Sequence, residues 1–198
     1  MIQSAPLEAF LVSLAVVAVG EIGDKTQLLA LLLAARFRQP PAIITGIFVA
    51  AALNHLLAAL VGGWIRSLVD PHVLRWLLGL SFLAIAAWAI KPDRLDDKET
   101  PPTSRYGVFL ITLVSFFLAE FGDKTQLATV GLAARFGTGW LNLALVVAGT
   151  TLGMLVADVP AVLLGGSAMV KIPFRAIRLL SAALLAAVGI AILAGFGG

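Results

Sequence analysis

The residues of this chain best suited to chemistry fall in one seven-residue pattern that occurs twice. Glu21-Ile22-Gly23-Asp24-Lys25-Thr26-Gln27 returns as Glu120-Phe121-Gly122-Asp123-Lys124-Thr125-Gln126, 99 residues later, with a single apolar swap. Five acids lie deep within apolar runs: Glu21, Asp24, Glu120, Asp123 and Asp158. Amide oxygens of Gln27, Gln126 and Asn54 accompany them. Thr26 and Thr125 either add hydroxyls or bond their own helix backbone. The chain has no cysteine, and its histidines are His55 and His72. An all-oxygen donor set suits hard divalent cations: Ca²⁺, Mg²⁺ or Mn²⁺. Four carboxylates facing one another in a low-dielectric pocket cannot all stay ionised without a cation. Metal binding there would release protons, which is the chemistry of a cation/proton exchanger. Lys25 and Lys124 can neutralise a carboxylate while no metal is bound.

Charge in an apolar run is costly, roughly 2.5–3.5 kcal/mol at the centre of a membrane helix. Bearing that cost twice in one pattern argues for function. The plainer alternative is an ion pair inside each motif that lets a polar helix pack. Asn54 and Asp158 stand at comparable places, before Gly62-Gly63 and Gly165-Gly166, with an alignment loose by one residue. Each either supplies a ligand oxygen or bonds across helices. His55 reads as a packing or interfacial histidine and His72 as interfacial. Trp64, Trp76, Trp88 and Trp140 fall near run ends, as interfacial aromatics do.

The elements that position these residues follow from composition. The chain has 198 residues, 60% apolar and 13% charged, with a mean hydropathy of +1.01. A soluble domain carries about 25% charged residues. The fold class expected is an all-α integral membrane protein in the lipid bilayer. Its net charge of +3 sits in loops and gives no nucleic-acid signal. The absence of cysteine excludes disulfides and thiolate metal sites, and no prosthetic group is expected. No Lys or Arg precedes residues 7–19, so the first run reads as an uncleaved helix and not a signal peptide.

Six apolar runs are visible. The first, 7–35, exceeds the ~20 residues of one span, so tilt or a bend near Gly20 and Gly23 is expected. The second follows Pro40-Pro41 and reaches Trp64. The third begins at Asp70-Pro71, an N-cap with proline behind it, and ends at Ile90. The fourth covers 106–134. The fifth runs from Trp140 to Gly166 with Pro160 inside, and the sixth closes near the C-terminus. Residues 1–90 form a first three-helix repeat, 91–105 a charged cytoplasmic linker, and 106–198 a second repeat. Six transmembrane helices in an odd-numbered repeat imply two halves of inverted topology, with the site at their interface.

Loop charges orient the chain. The 1–2, 3–4 and 5–6 loops hold Arg36, Arg38, Lys91, Arg94, Lys98, Arg105, Lys171, Arg175 and Arg178. The other side holds Arg66, Arg75 and Arg135. The richer side reads as cytoplasmic, with both termini outside and the protein multi-pass in the cell inner membrane.

The twin Glu-x-Gly-Asp-Lys-Thr pattern, once per half, resembles the Gdt-type family of small membrane proteins, found from bacterial plasma membranes to Golgi and chloroplast membranes. The resemblance covers nearly the whole chain. It implies a secondary transporter that exports Mn²⁺ or Ca²⁺ in exchange for protons. It also implies that the cation site involves Glu21, Asp24, Glu120 and Asp123, with Gly23, Lys25, Thr26, Gly122, Lys124 and Thr125 in the matching motif positions. The stretch Gly149-Thr150-Thr151-Leu152-Gly153-Met154 through Asp158-Val159-Pro160 also looks like that family. Asn is its usual residue where Asp158 stands, so this chain adds an ionisable group. The brevity of the chain resembles bacterial members.

Two other functions fit the residues less well. An exporter of amino acids or another small organic solute could use the same acids and lysines, but no aromatic binding box accompanies them. An intramembrane lipid-pyrophosphate phosphatase would want Arg, Ser or His beside its acids, whereas the basic residues inside the runs are Lys25 and Lys124. A transporter and not an enzyme is therefore expected. Monomer and homodimer both stay open.

Overall fold

Gly23 and Gly122 adopt φ of +83° and +81°, in the left-handed region that glycine enters without steric cost. Each glycine breaks a helix. In the computed structural model, which describes residues 6–91, 107–164 and 174–195, α1 (Pro6–Glu21) stops before Gly23 and α2 (Lys25–Phe37) starts after it. The two helices meet at 67°. In the second half α5 (Val108–Glu120) and α6 (Lys124–Phe136) part at Gly122 in the same way. Asp24 and Asp123 sit at the N-cap positions of α2 and α6 with near-identical extended backbone, φ −80° ψ 169° and φ −79° ψ 168°. The bend expected in the first run is present. Their spacing of three would place Glu21 and Asp24 on one face of an unbroken helix, but the break separates them. One ends a helix and the other begins the next.

The remaining described elements are unbroken helices: α3 (Pro40–Leu68), α4 (Pro71–Ala89), α7 (Gly139–Leu164) and α8 (Phe174–Leu193). Proline opens α3 and α4, where its missing N–H costs nothing. Asp70 caps α4 as expected, its carboxylate accepting the N–H of His72 at 2.8 Å. Pro160 is accommodated inside α7. All secondary structure among the described residues is helical. By length and apolarity α3, α4 and α7 each suffice to cross a bilayer, and α1 with α2 passes as one broken span. Val108–Glu120 and residues 178–193 of α8 are apolar but shorter. The full six-span pattern is thus coarser in the described helices than in the apolar runs, because the second motif divides the fourth run into two 13-residue helices. Nearly all of the charged linker and the segment containing Lys171 and Pro173 lie outside the described residues.

The two halves interleave. α1 packs along α7, α5 packs along α3, and α4 packs on α8. Small residues allow this, as is usual where helices meet in lipid. A Cβ built on Gly149 would lie 2.5 Å from the Phe10 carbonyl oxygen and 3.0 Å from Ser13 Cβ. A Cβ on Gly46 would lie 2.9 Å from the Phe109 carbonyl oxygen and 2.7 Å from Thr112 Cβ. Phe10 and Phe109 differ by the motif offset of 99 residues, as do Ser13 and Thr112, whereas Gly46 and Gly149 differ by 103. The α1–α7 and α3–α5 contacts are therefore one contact made twice. Trp64 and Trp140, 64% and 81% exposed, point away from the helix interfaces.

Glycine-mediated approach of α7 to α1 gives a stability prediction. Gly149→Leu should force the helices apart at a cost of about 1–3 kcal/mol or more, as overpacking does. Gly107→Ala, where a Cβ meets nothing within 4 Å, should change little. Thermal unfolding of the detergent-purified variants, followed by tryptophan fluorescence, checks the contrast.

Candidate cation site at the paired elbows

Each motif residue has a local task. In a dry environment every freed backbone N–H needs a partner. At the first elbow the Gly23 N–H donates to Gln27 Oε1 at 2.9 Å, and at the second the Gly122 N–H donates to Gln126 Oε1 at 2.7 Å. The Asp24 N–H donates to the Glu21 carbonyl at 3.0 Å, matched by Asp123 to Glu120 at 3.1 Å. Thr26 Oγ1 donates to Glu21 Oε2 at 2.6 Å, and Thr125 Oγ1 to Glu120 Oε2 at 2.9 Å. Of the two roles open to these threonines, the structure shows the hydroxyl directed to the motif's own glutamate. The variable second position takes no part: Ile22 is half-buried and Phe121 exposed.

The elbows then meet across the halves. Lys124 Nζ lies 2.7 Å from Asp24 Oδ2, and Lys25 Nζ lies 3.8 Å from Asp123 Oδ1. These lysine–aspartate pairs join one motif to the other, where the plainer reading had placed them inside a single motif. Gln27 Nε2 donates to the Ala157 carbonyl at 2.9 Å, and Gln126 Nε2 donates to Asn54 Oδ1 at 3.2 Å. Asn54 in turn donates from Nδ2 to the Phe117 carbonyl at 3.1 Å. Ala157 is 103 residues beyond Asn54, the same register as Gly46 and Gly149. The loose alignment of Asn54 with Asp158 is therefore resolved by one residue. Asn54 is matched by Ala157, and Asp158 is matched by His55.

Glu21, Glu120 and Asp158 are fully buried. Oε1 of each glutamate and both carboxyl oxygens of Asp158 have no hydrogen-bond partner among the described residues. Glu120 lies within electrostatic range of Glu21, Asp24 and Asp123, and Asp158 within range of Glu21. Buried polar atoms without partners are rare and call for an explanation such as an ion. Among the described residues, no three His, Asp or Glu side chains are arranged as a ready group for a metal ion. The geometry supplies the reason. The lysines hold Asp24 and Asp123, and the threonines hold one oxygen of each glutamate. So held, the acids form no ready group of three around one point among the described residues.

His55 is buried between α3 and α7, with Nδ1 3.4 Å from Thr151 Oγ1, as a packing histidine is. A larger apolar groove of about 500 Å³, lined by Phe48, Leu56 and Trp140 among others, holds no motif residue. The sixth run is present as α8, but its place beside the first elbow was not expected. Arg178 and Ser181 line a small cavity with Asp24 and Lys124. Their spacing of three along a helix was the available signal, but Arg178 stood among the loop charges.

Comparison with known proteins agrees with this twofold construction. The family model described as divalent cation/proton antiporter GDT1 matches residues 9–97 and again 108–196. A Vibrio cholerae protein named "Putative manganese exporter" is 47% identical over 173 residues, 87% of this chain and 84% of its own length. A GDT1-like protein 4 of Oryza sativa subsp. indica is 30% identical over 81% of this chain and 63% of its own length. A GDT1-like protein of Synechocystis is 27% identical over 80% of this chain and 84% of its own length. No solved structure matches. The chain belongs to the GDT1 family of divalent cation/proton antiporters.

Proposed function

We propose that this protein exports Mn²⁺, with Ca²⁺ as the second candidate, from the cytoplasm in exchange for protons, and that the paired elbows are its site. The observation that carries this reading is the reciprocal lysine–aspartate pairing of two acid-rich elbows beside buried carboxyl oxygens that have no hydrogen-bond partner among the described residues. The name of the Vibrio cholerae relative favours manganese over calcium.

In this reading Glu21, Asp24, Glu120, Asp123 and Asp158 are the carboxylate ligands. Asn54, Gln27 and Gln126 contribute amide oxygens. A carbonyl-type oxygen has two lone pairs, so the bond each already accepts, from an elbow N–H at the glutamines and from Gln126 Nε2 at Asn54, leaves one for a metal. Lys25 and Lys124 are internal counter-cations. They neutralise the aspartates when no metal is present and swing aside when it arrives. Thr26 and Thr125 hold the glutamates at a fixed rotation. Protons and metal compete for the same carboxylates, so loading one unloads the other. No bond-breaking step is required, and the metal is cargo.

The membrane frame is part of the proposal. Each broken pair, α1–α2 and α5–α6, counts as one span, which restores six spans in two inverted repeats joined by the linker at 91–105. The doubled α1–α7 and α3–α5 contact supports that symmetry. The face holding the C-terminal end of α4 and the N-terminal end of α8 is cytoplasmic, both termini lie outside, and the membrane is the cell's inner membrane. One chain supplies both elbows, so a monomer suffices and a homodimer would carry two sites.

Transport into proteoliposomes with a trapped pH dye tests the reading. Mn²⁺ added outside should make the lumen alkaline as protons leave. Glu120→Gln and Glu21→Gln should each abolish this while inserting normally. Metal entry without a lumen pH change would sink the exchange mechanism. Asp158→Asn should raise the KM for Mn²⁺ about tenfold, the effect of about 1.4 kcal/mol of lost ligation, while transport persists. An unchanged KM would remove Asp158 from the site. Because protons compete with metal for carboxylates, raising the pH should lower the KM, and a KM independent of pH would contradict shared ligands.

A further inference from the structure

The two elbows share their glycine, glutamine and threonine bonds but not their cover. Ile22 and Gly23 are half-buried, whereas Phe121 and Gly122 are exposed. The difference arises from α8. Ser181 Oγ donates to the Val19 carbonyl at 2.5 Å, fastening α8 to the last turn of α1. One turn earlier Arg178 lines the cavity that leads to Asp24 and Lys124. That cavity measures about 10 Å³, roughly the space for one water. Ala89, the last residue of α4, lies on its wall. The cavity therefore lies on the side of the first elbow nearer the face where α4 ends and α8 begins. In the reading above this is the cytoplasmic face, from which an exporter draws its cargo.

A guanidinium is permanently charged. Placed in a narrow approach beside Lys124, it opposes the entry of a divalent cation toward Asp24. No residue of the second elbow has a comparable cover among the described contacts. We propose that Arg178 is a cationic gate on the intake side of the cation site. Its charge closes the approach to Asp24 while α8 is fastened to α1. Release of α8 carries the charge away and admits the metal. Arg178 touches no ligand in this scheme. It is a positioning and gating residue, and the inference rests on the transport reading.

The test has one arm that needs transport and one that does not. For Mn²⁺ applied from the face where α8 begins, Arg178→Gln should lower the KM about tenfold, the order expected when a nearby like charge is removed at intermediate dielectric. Arg178→Lys should behave as the unsubstituted protein. The Gln effect should shrink at about 1 M salt, where the screening length is about 3 Å. For the second arm, the chain has no cysteine, so Ile22→Cys places a single thiol on the cavity wall. Anionic and cationic methanethiosulfonate reagents then report the local potential. With Arg178 present the anionic reagent should react faster. With Arg178→Gln the ratio should move about tenfold toward the cationic reagent, and with Arg178→Lys it should not move. An unchanged labelling ratio in Arg178→Gln would overturn the gate. So would Arg178→Lys shifting as far as Arg178→Gln, because shape and not charge would then be at work. If the unsubstituted protein moves no metal, the transport reading fails, and the labelling arm still decides whether Arg178 sets the potential at the first elbow.

Discussion

Peptide groups freed inside an apolar environment must find partners, and the architecture of this protein depends on that constraint. A helix broken at the membrane midplane would leave N–H groups stranded. Here glycine takes the left-handed turn, an aspartate stands at the N-cap of the next helix, and glutamine covers the glycine N–H. The break is thereby made stable enough to keep. What it yields is a pair of ionisable side chains held at the ends of helices, where no regular helix would place them. Helix N-termini carry partial positive charge, so the caps Asp24 and Asp123 lie where negative charge is favoured. The motif is best understood as a recipe for a tolerated break, with the acids as its product.

Docking two such breaks against each other solves a second problem. Each elbow alone would bury an aspartate and a lysine with poor satisfaction. Together they exchange partners, Lys124 with Asp24 and Lys25 with Asp123. Burying a charge without a partner costs far more than burying a pair. The halves therefore need one another, and this need reinforces the glycine-lined contacts of α1 with α7 and α5 with α3.

Much of this was legible in the chain. Chemistry-bearing residues stand out when they interrupt apolar runs, and the twin motif did so twice. The Asp70 cap and the prolines that open α3 and α4 were readable because capping is a local rule. The bend in the first run showed in its excess length. The break in the fourth run carried the same signal, since 106–134 is as long as 7–35 and repeats its glycine at Gly122, but it was not read as a bend. The one-residue register that sets Asp158 opposite His55 was hidden. It is fixed by where Gly46 and Gly149 touch the neighbouring helices, and a contact between halves leaves no periodicity in either. Arg178 was visible as a charge but not as a neighbour of Asp24, because only packing places α8 over the first elbow.

The pairing of His55 with Asp158 has a further consequence. If the halves were perfect copies, the cycle would look the same from either side of the membrane. A neutral or cationic imidazole on one side and a carboxyl on the other removes that equivalence. Ion gradients alone set the net direction of an exchanger, so the asymmetry cannot act as a one-way valve. It can make the intermediates of the forward and return strokes unequal in depth. In the proposed exchange cycle this would give the protein a kinetic front and back, to which the mismatch of Asn54 with Ala157 and the one-sided cover by α8 also contribute.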